Sequence, residues 1–600
     1  MSSLSRVMSF GLLCLASAWL QAGVPEARRD HPSEMSLAEE LDRVLQKSFD
    51  AAGVKPAPDA SDEDFLRRVS LDLAGTIPTP REVTLFGLDP DSNKRAKLID
   101  RLLDSKGYAD LWASYWGEVI FGHATEQRAR ATQGVFEEWM TAQLAANKSW
   151  EDITTALLTA TGKVQEDGET ALFFAHTGNA EEVAAEVSRI FLGIQLQCAN
   201  CHDHPTDGWK REQFHELAAY LPRVIVRREP DAGFLDFEVT SFSGSDYRPK
   251  PADLARFVDR NRDGKITADE AKLAPRFERI FTFALSQGDS DKDGALSMKE
   301  LEGLPEPPRE GRGSSEHYMP DLNDPTAKGT MMQPVFFLTS QRLKGNSTDM
   351  QRREALAKAI TSKSNPWFRK SFANRMWAEF LGEGFFMPID DLGPTRTGTQ
   401  EEVLDLLANG FASHDYDIHW LLRTITNTRA YQRKLAASPS DTVKFAAASP
   451  TRLRSDQIYN ALAQILGVEE IPGLASMRRG QYGRGNSSRR GFQQLFGYDP
   501  STPQADILGN IPQTLFLMNA DTLAPLTRAT GDTVLGRILS QNSDDEAVLG
   551  ELYLRVLSRE PTDKEGEINL AYIKKIGRRA EAFEDIFWSL LNSSEFLTRR

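Results

Sequence analysis

Two short stretches of this chain concentrate ligand-type side chains at spacings that metal chemistry uses. One reads Asp259, Arg260, Asn261, Arg262, Asp263, Gly264, Lys265, Ile266, Thr267, Ala268, Asp269, Glu270. It matches the twelve-residue EF-hand pattern at every diagnostic position. Calcium is a hard cation that takes oxygen ligands, so Asp259, Asn261 and Asp263 are expected to give side-chain oxygens and Lys265 its carbonyl. Thr267 would contribute through a water and Glu270 through two carboxylate oxygens. A second loop, Asp289 to Glu300, repeats the pattern with Asp289, Asp291, Asp293, Gly294, the Ala295 carbonyl, Ser297 and Glu300. It holds four ligand carboxylates against three in the first. Greater repulsion without the ion and greater gain with it predict that the second loop is the tighter site. Ile266 and Leu296 occupy matching positions and are expected to meet in a short β contact. Residues 271–288 must hold an exiting helix, a turn and an entering helix, with Pro275 among them, so these helices are expected to be short. The pair reads as a calcium-braced insert of extracellular type, with affinity of roughly 10⁻⁴ to 10⁻³ M.

The other stretch is Cys198, Ala199, Asn200, Cys201, His202, followed by Asp203 and His204. Two thiols at this spacing reach the two vinyl groups of one porphyrin, and a histidine beside the second thiol is positioned against the iron. The spacing therefore predicts haem c on Cys198, Cys201 and His202. His204, His215, His176, Met319 or an open position would lie on the far side of the iron. Three other readings stand beside it: a redox-active or structural disulfide, a zinc or other metal site using Cys198, Cys201, His202 and His204, and a buried pair of free thiols.

The elements that must position these residues read as mainly α. Apolar residues recur at helical spacing over 37–49, 62–73, 94–103, 109–120, 135–146, 150–160 and 180–196, and again over 353–360, 367–381, 400–413, 418–428 and 455–466, with two late helices ending near Phe596. Pro78 and Pro80 stop the second of these. Between Arg223 and Phe242 the pattern changes to a short hairpin. The expected architecture is two large helical domains, 30–222 and 346–600, separated by a short β segment at 223–250, the EF-hand pair at 251–304 and a Pro- and Gly-rich linker at 305–345. A chain of 600 residues exceeds what one core of about 250 to 300 residues accommodates. Residues 477–490, rich in Arg and Gly, read as a surface loop.

A net charge of −15 argues against nucleic acid as a partner. Arg6, the apolar run from Val7 to Leu20 and the small residues Ala22 and Gly23 read as a secretory signal occupying residues 1–22. Cleavage would remove Cys14, and no later run approaches the roughly 20 apolar residues of a membrane span. The expected location is the periplasm or cell exterior.

The chain also resembles the large exported planctomycete cytochrome-like proteins, which are built from two paired domains. The resemblance is carried in the first half by residues 64–80, by 97–103, and by 191–205, which read Phe-Leu-Gly-Ile-Gln-Leu-Gln-Cys-Ala-Asn-Cys-His-Asp-His-Pro, with Trp209 and Phe214 following. In the second half it is carried by 353–357, 365–368, 374–377, 388–392, 420–425 and 591–596. It implies a cytochrome whose motif falls on Cys198, Cys201 and His202. The small cytochrome c layout, with the attachment site near the start of a compact domain, is not present.

These readings support two functions. One is a calcium-binding redox protein that exchanges electrons with a partner or carries out oxidative chemistry. The other is a calcium-braced extracytoplasmic binding or structural protein without haem, its partner an exported protein or a polysaccharide. Asp390 and Asp391 are adjacent and do not aim at one bond, so no hydrolase is assigned to them. His414 and His419 beside Asp415 and Asp417 read as a turn before a helix.

Overall fold

A computed structural model describes residues 31–228, 233–241, 255, 258–272, 275–304, 316–324, 327, 329–344, 347–435, 443–472, 487–507, 509–519 and 522–600. The expected signal segment with Cys14, linker residues 305–315 and loop residues 477–486 lie outside the described residues. The protein is mainly helical, with a few short antiparallel strands.

Local sequence sets most helix boundaries. Ser61 caps the helix Asp62–Ala74 by accepting from Asp64 N, and Gly75 ends it in the left-handed region at φ 67°. Pro80 opens the next helix, Pro80–Leu88, because Thr79 and Glu82 form a capping box around it. The expected helix at 180–196 is divided. Ala180–Val187 is α-helical, Ser188–Leu192 forms a π turn, and Gly193 stops it at φ 65°. A Cβ on Gly193 would lie 3.0 Å from Leu392 and Ser371, so the chain bends where the second half presses on it. A 3₁₀ turn, Leu196–Asn200, then carries the first cysteine. Residues 487–490 are not loop; they open the helix Ser487–Phe496.

The expected hairpin is present. Val224–Arg228 pairs antiparallel with Phe237–Ser241, Val226 opposite Val239, and Gly162–Lys163 joins the other side of Phe237–Ser241. After residue 500 the chain forms more helices than the two expected, including Val534–Gln541, Asp545–Leu557, Asp563–Ile576 and Arg579–Leu591.

Among the described residues, three apolar cores hold the fold. The first draws residues from Leu41 to Val239 and from Phe336 to Ala446, the second draws Leu71 and Ile77 together with residues from Leu453 to Phe596, and the third belongs to the EF-hand pair. Both large helical segments therefore contribute to the first core. Trp116 of the first segment stacks on Trp150 at 4.4 Å and on Phe372 of the second at 5.8 Å.

Buried arginines add directional links to this contact. Arg67 is fully buried and donates to the carbonyls of Val556 at 3.0 Å and Phe596 at 3.2 Å. Arg353, also fully buried, donates to the Ala160 carbonyl at 2.7 Å and pairs with Asp349 at 2.9 Å. A buried guanidinium without partners is costly, so these bonds fix how the segments meet.

Residues 31–304 and 316–600 produced as separate chains in one cell are therefore expected to co-purify as a complex, and each alone to aggregate or bind a hydrophobic dye. Two independently soluble fragments with sharp, separate unfolding transitions would contradict the shared core.

Candidate functional site

The EF-hand pair forms as a unit. Lys265–Ile266 pairs antiparallel with Leu296–Ser297, and Ile266 faces Leu296, both fully buried. Helices Ala268–Lys272, Pro275–Gly288 and Met298–Glu302 surround them. Pro275 begins the longest of these rather than interrupting it, because a first-turn proline gives up a hydrogen bond the helix would not have made.

The two loops share one internal geometry. Asp259 accepts from Asp263 N at 3.2 Å and Gly264 N at 3.0 Å, and Asp289 accepts from Asp293 N and Gly294 N, both at 3.1 Å. Gly264 and Gly294 take φ of 77° and 80°, the sharp turn the pattern requires at that position. The twelfth-position carboxylates fold inward. Glu300 accepts from Ser297 N at 2.9 Å, from the Ser297 and Ser290 hydroxyls at 2.7 and 2.8 Å, and from Ser290 N at 3.0 Å, and these bonds lower its pKa to about 2. Glu270 accepts from Thr267 N at 3.1 Å, and its other oxygen is buried without a partner. Asp289, Asp291 and Asp293 bring carboxylate oxygens within 4.8 Å of one another. An all-oxygen set with an orphaned glutamate oxygen fits Ca²⁺. Lys265 Nζ crosses from the first loop to pair with Asp293 of the second, holding that carboxyl below its usual range.

The cysteine turn follows Gly193, late in the first helical segment. Cys198, Cys201 and His202 are all exposed and both thiols are free, so the reading as a buried thiol pair does not hold. Around them the loop is tightly bound. Asp203 accepts from Lys210 Nζ at 2.8 Å and Arg211 N at 3.0 Å; His204 N donates to the Trp209 carbonyl at 2.8 Å; Arg211 Nε donates to the Asn200 carbonyl at 3.2 Å. Trp209 wedges edge-on against Phe337 and Trp367. The second half supplies a clasp, in which Asp207 accepts from Thr395 Oγ1 at 2.9 Å.

His202 Nδ1 lies 2.7 Å from the Asp203 carbonyl. A carbonyl only accepts, so Nδ1 carries the hydrogen and the Nε2 lone pair is left for an electrophile. The ring tautomer is therefore the one a metal-ligating histidine uses.

Among the described residues the atoms of Cys198, Cys201, His202 and His204 do not gather within 4.8 Å in the way the zinc reading requires. His204 is half-buried, with Nδ1 unpartnered. His215 is fully buried with both ring nitrogens engaged, Nε2 at 3.0 Å from the Asn200 carbonyl and Nδ1 at 2.8 Å from His317 Nε2. His176 is buried beside Thr125, and Met319 lies in the strand Tyr318–Met319. His317 was not legible in the sequence as a partner, because 102 residues and a linker separate it from His215.

Asp390 is buried between Arg189 at 3.5 Å and Gln195 at 2.9 Å, and Asp391 pairs with Arg396 at 3.0 Å, both structural roles. Asp417 caps the helix Ile418–Asn427 while His414 stacks on Trp420 at 4.2 Å.

Two expectations follow. A Cβ on Gly393 would lie 1.4 Å from Asp207 Oδ2, so Gly393→Ala should cost about 1–3 kcal/mol in denaturant unfolding by forcing the clasp apart. An unchanged midpoint would mean the clasp yields freely. Lys265→Met should tighten calcium at the second loop a few-fold in calorimetric titration, because it removes a competing cation, and unchanged affinity would mean Lys265 does not compete.

No curated protein and no solved structure matches this chain. Three family models do. PSCyt2, a protein of unknown function (DUF1549), covers residues 40–225; PSD1, a protein of unknown function (DUF1553), covers 352–481; an EF-hand model covers 256–270, which is the first loop. The cysteine turn lies inside the first match and the clasp around Thr395 inside the second. These two domain matches, in this order, agree with the two-domain architecture of the planctomycete cytochrome-like family.

Proposed function

We propose that this is an exported, calcium-binding redox protein that carries haem c on Cys198, Cys201 and His202. The observation that carries the reading is the state of the motif: two free, exposed thiols and a histidine whose Nδ1–H is committed to the Asp203 carbonyl at 2.7 Å, leaving Nε2 as a ligand atom. Each thiol would add across one vinyl group, and His202 Nε2 would bind the iron. The group supplies one-electron redox chemistry when bound. The chain's own residues hold the turn: Asp203, Arg211 and the Asp207–Thr395 clasp keep the three attachment atoms from collapsing onto the core.

The donor sets of the two loops support calcium at Asp259, Asn261, Asp263, Lys265 and Glu270 and at Asp289, Asp291, Asp293, Ala295 and Glu300. Their small separate core supports a brace rather than a groove-opening sensor. Among the described residues no helix is long and apolar enough to cross a membrane. The partner would be an electron donor or acceptor outside the cytoplasm.

Protein made in a host that matures c-type cytochromes should show sharp visible bands on dithionite reduction. The colour should survive acid–acetone extraction and be lost in Cys198→Ala and Cys201→Ala. A colourless, well-folded product from such a host would overturn the haem reading and leave a calcium-braced binding or structural protein.

A further inference from the structure

His215 and His317 are buried imidazoles that face one another, at 0% and 7% exposure. They come from unrelated parts of the chain. His215 lies on the helix Arg211–Ala218, inside the first family match; His317 precedes the strand Tyr318–Met319, outside both domain matches. Their rings stack at 5.1 Å and 22°, with His215 Nδ1 2.8 Å from His317 Nε2. Glu181, in the first turn of the helix Ala180–Val187, brings a carboxylate oxygen within 4.8 Å of both.

The environment fixes the state of these groups. His215 Nε2 faces the Asn200 carbonyl at 3.0 Å, and since that carbonyl accepts, Nε2 holds the hydrogen and Nδ1 presents a lone pair toward His317. An imidazole that donates its far N–H to a backbone carbonyl while aiming its other nitrogen at a second imidazole and a carboxylate has the outer-shell arrangement of a metal ligand. His317 is held from behind. Glu316 pairs with Arg223 at 2.6 Å and with Arg352 at 2.8 Å, and the His317 carbonyl accepts from Met332 N at 2.9 Å.

We propose that Glu181, His215 and His317 form a site for a divalent transition-metal ion of the zinc type, bound through His215 Nδ1, His317 Nε2 and a Glu181 carboxylate oxygen. Two histidines and one carboxylate are a set that borderline divalent ions take, with a remaining position for water or another ligand. Tetrahedral zinc with bonds of about 2.0–2.1 Å sets its nitrogen ligands about 3.3–3.4 Å apart. The imidazoles therefore need to part by only about half an ångström, as the ion takes the place of the hydrogen now between them. Glu181 is half-buried, which gives the ion a way in from solvent. The site also touches the cysteine turn: the Asn200 carbonyl that fixes His215 lies between Cys198 and Cys201, so the ion would brace the turn from beneath. This site stands independently of haem on that turn.

The test uses the full mature chain carrying Cys198→Ser and Cys201→Ser, saturated with calcium and stripped of other metals, so that thiolates, haem and the EF-hand loops do not compete. Titration with Zn²⁺ alone, followed by calorimetry, and with Co²⁺, followed by its visible absorption, is expected to give one ion per chain and a rise in the melting temperature. Glu181→Gln, at a half-exposed helix start, and His317→Gln should each weaken binding at least tenfold and abolish the melting shift. Failure of the cysteine-free protein to bind either ion would overturn the proposal. So would equal affinity in folded Glu181→Gln, which remains decisive where His317→Gln does not fold.

Discussion

Leu392 N donates to the Gly193 carbonyl at 2.7 Å, and at this bond the two family-matched domains meet beneath the cysteine turn. Gly193 is left-handed at φ 65°, Leu392 and Ser371 leave little room for a side chain there, and its turn ends the π segment that holds buried Arg189. From this seam the chain runs directly into the turn bearing Cys198, while the segment after Leu392 returns to clasp Asp207 with Thr395. The motif belongs to the first domain by sequence, yet its backing comes from both. A shared apolar core and buried arginines that bond carbonyls across the seam make this join hard to slide.

Much of this was legible in the sequence, for specific reasons. Helices such as Ile418–Asn427 show themselves because one face is apolar and the cap, Asp417, has the right side chain. The EF-hand loops are legible because calcium demands fixed residue types at fixed spacing, and the Ile266–Leu296 contact follows from that register. Packing between distant segments was not legible. Periodicity reports that a helix has an apolar face and says nothing of which partner covers it, so the joint core of residues 41–239 and 336–446 lay beyond it. The break at Gly193 depends on Leu392, about two hundred residues downstream. The late helices were undercounted because short amphipathic segments divided by Asn, Asp and Gly resemble loops.

The same limit governed the histidines. His215 was visible as a candidate ligand from its nearness to the motif, but the structure gives its two nitrogens to the Asn200 carbonyl and His317. Its chemistry points away from the exposed turn and into the protein. The exposed face offers thiols and His202 Nε2, and the buried face offers two imidazoles and a carboxylate, with the Asn200 carbonyl between them. The EF-hand pair stands apart, with its own small core, and its chemistry is independent of both.

Covalent haem on the exposed turn is tested most directly by intact-mass and peptide-level mass spectrometry of the protein isolated from its own cells. A chain beginning near Gly23 is expected, with one haem mass carried by the peptide that contains Cys198 and Cys201. The same peptide recovered without added mass, as free thiols or as a disulfide, would contradict it.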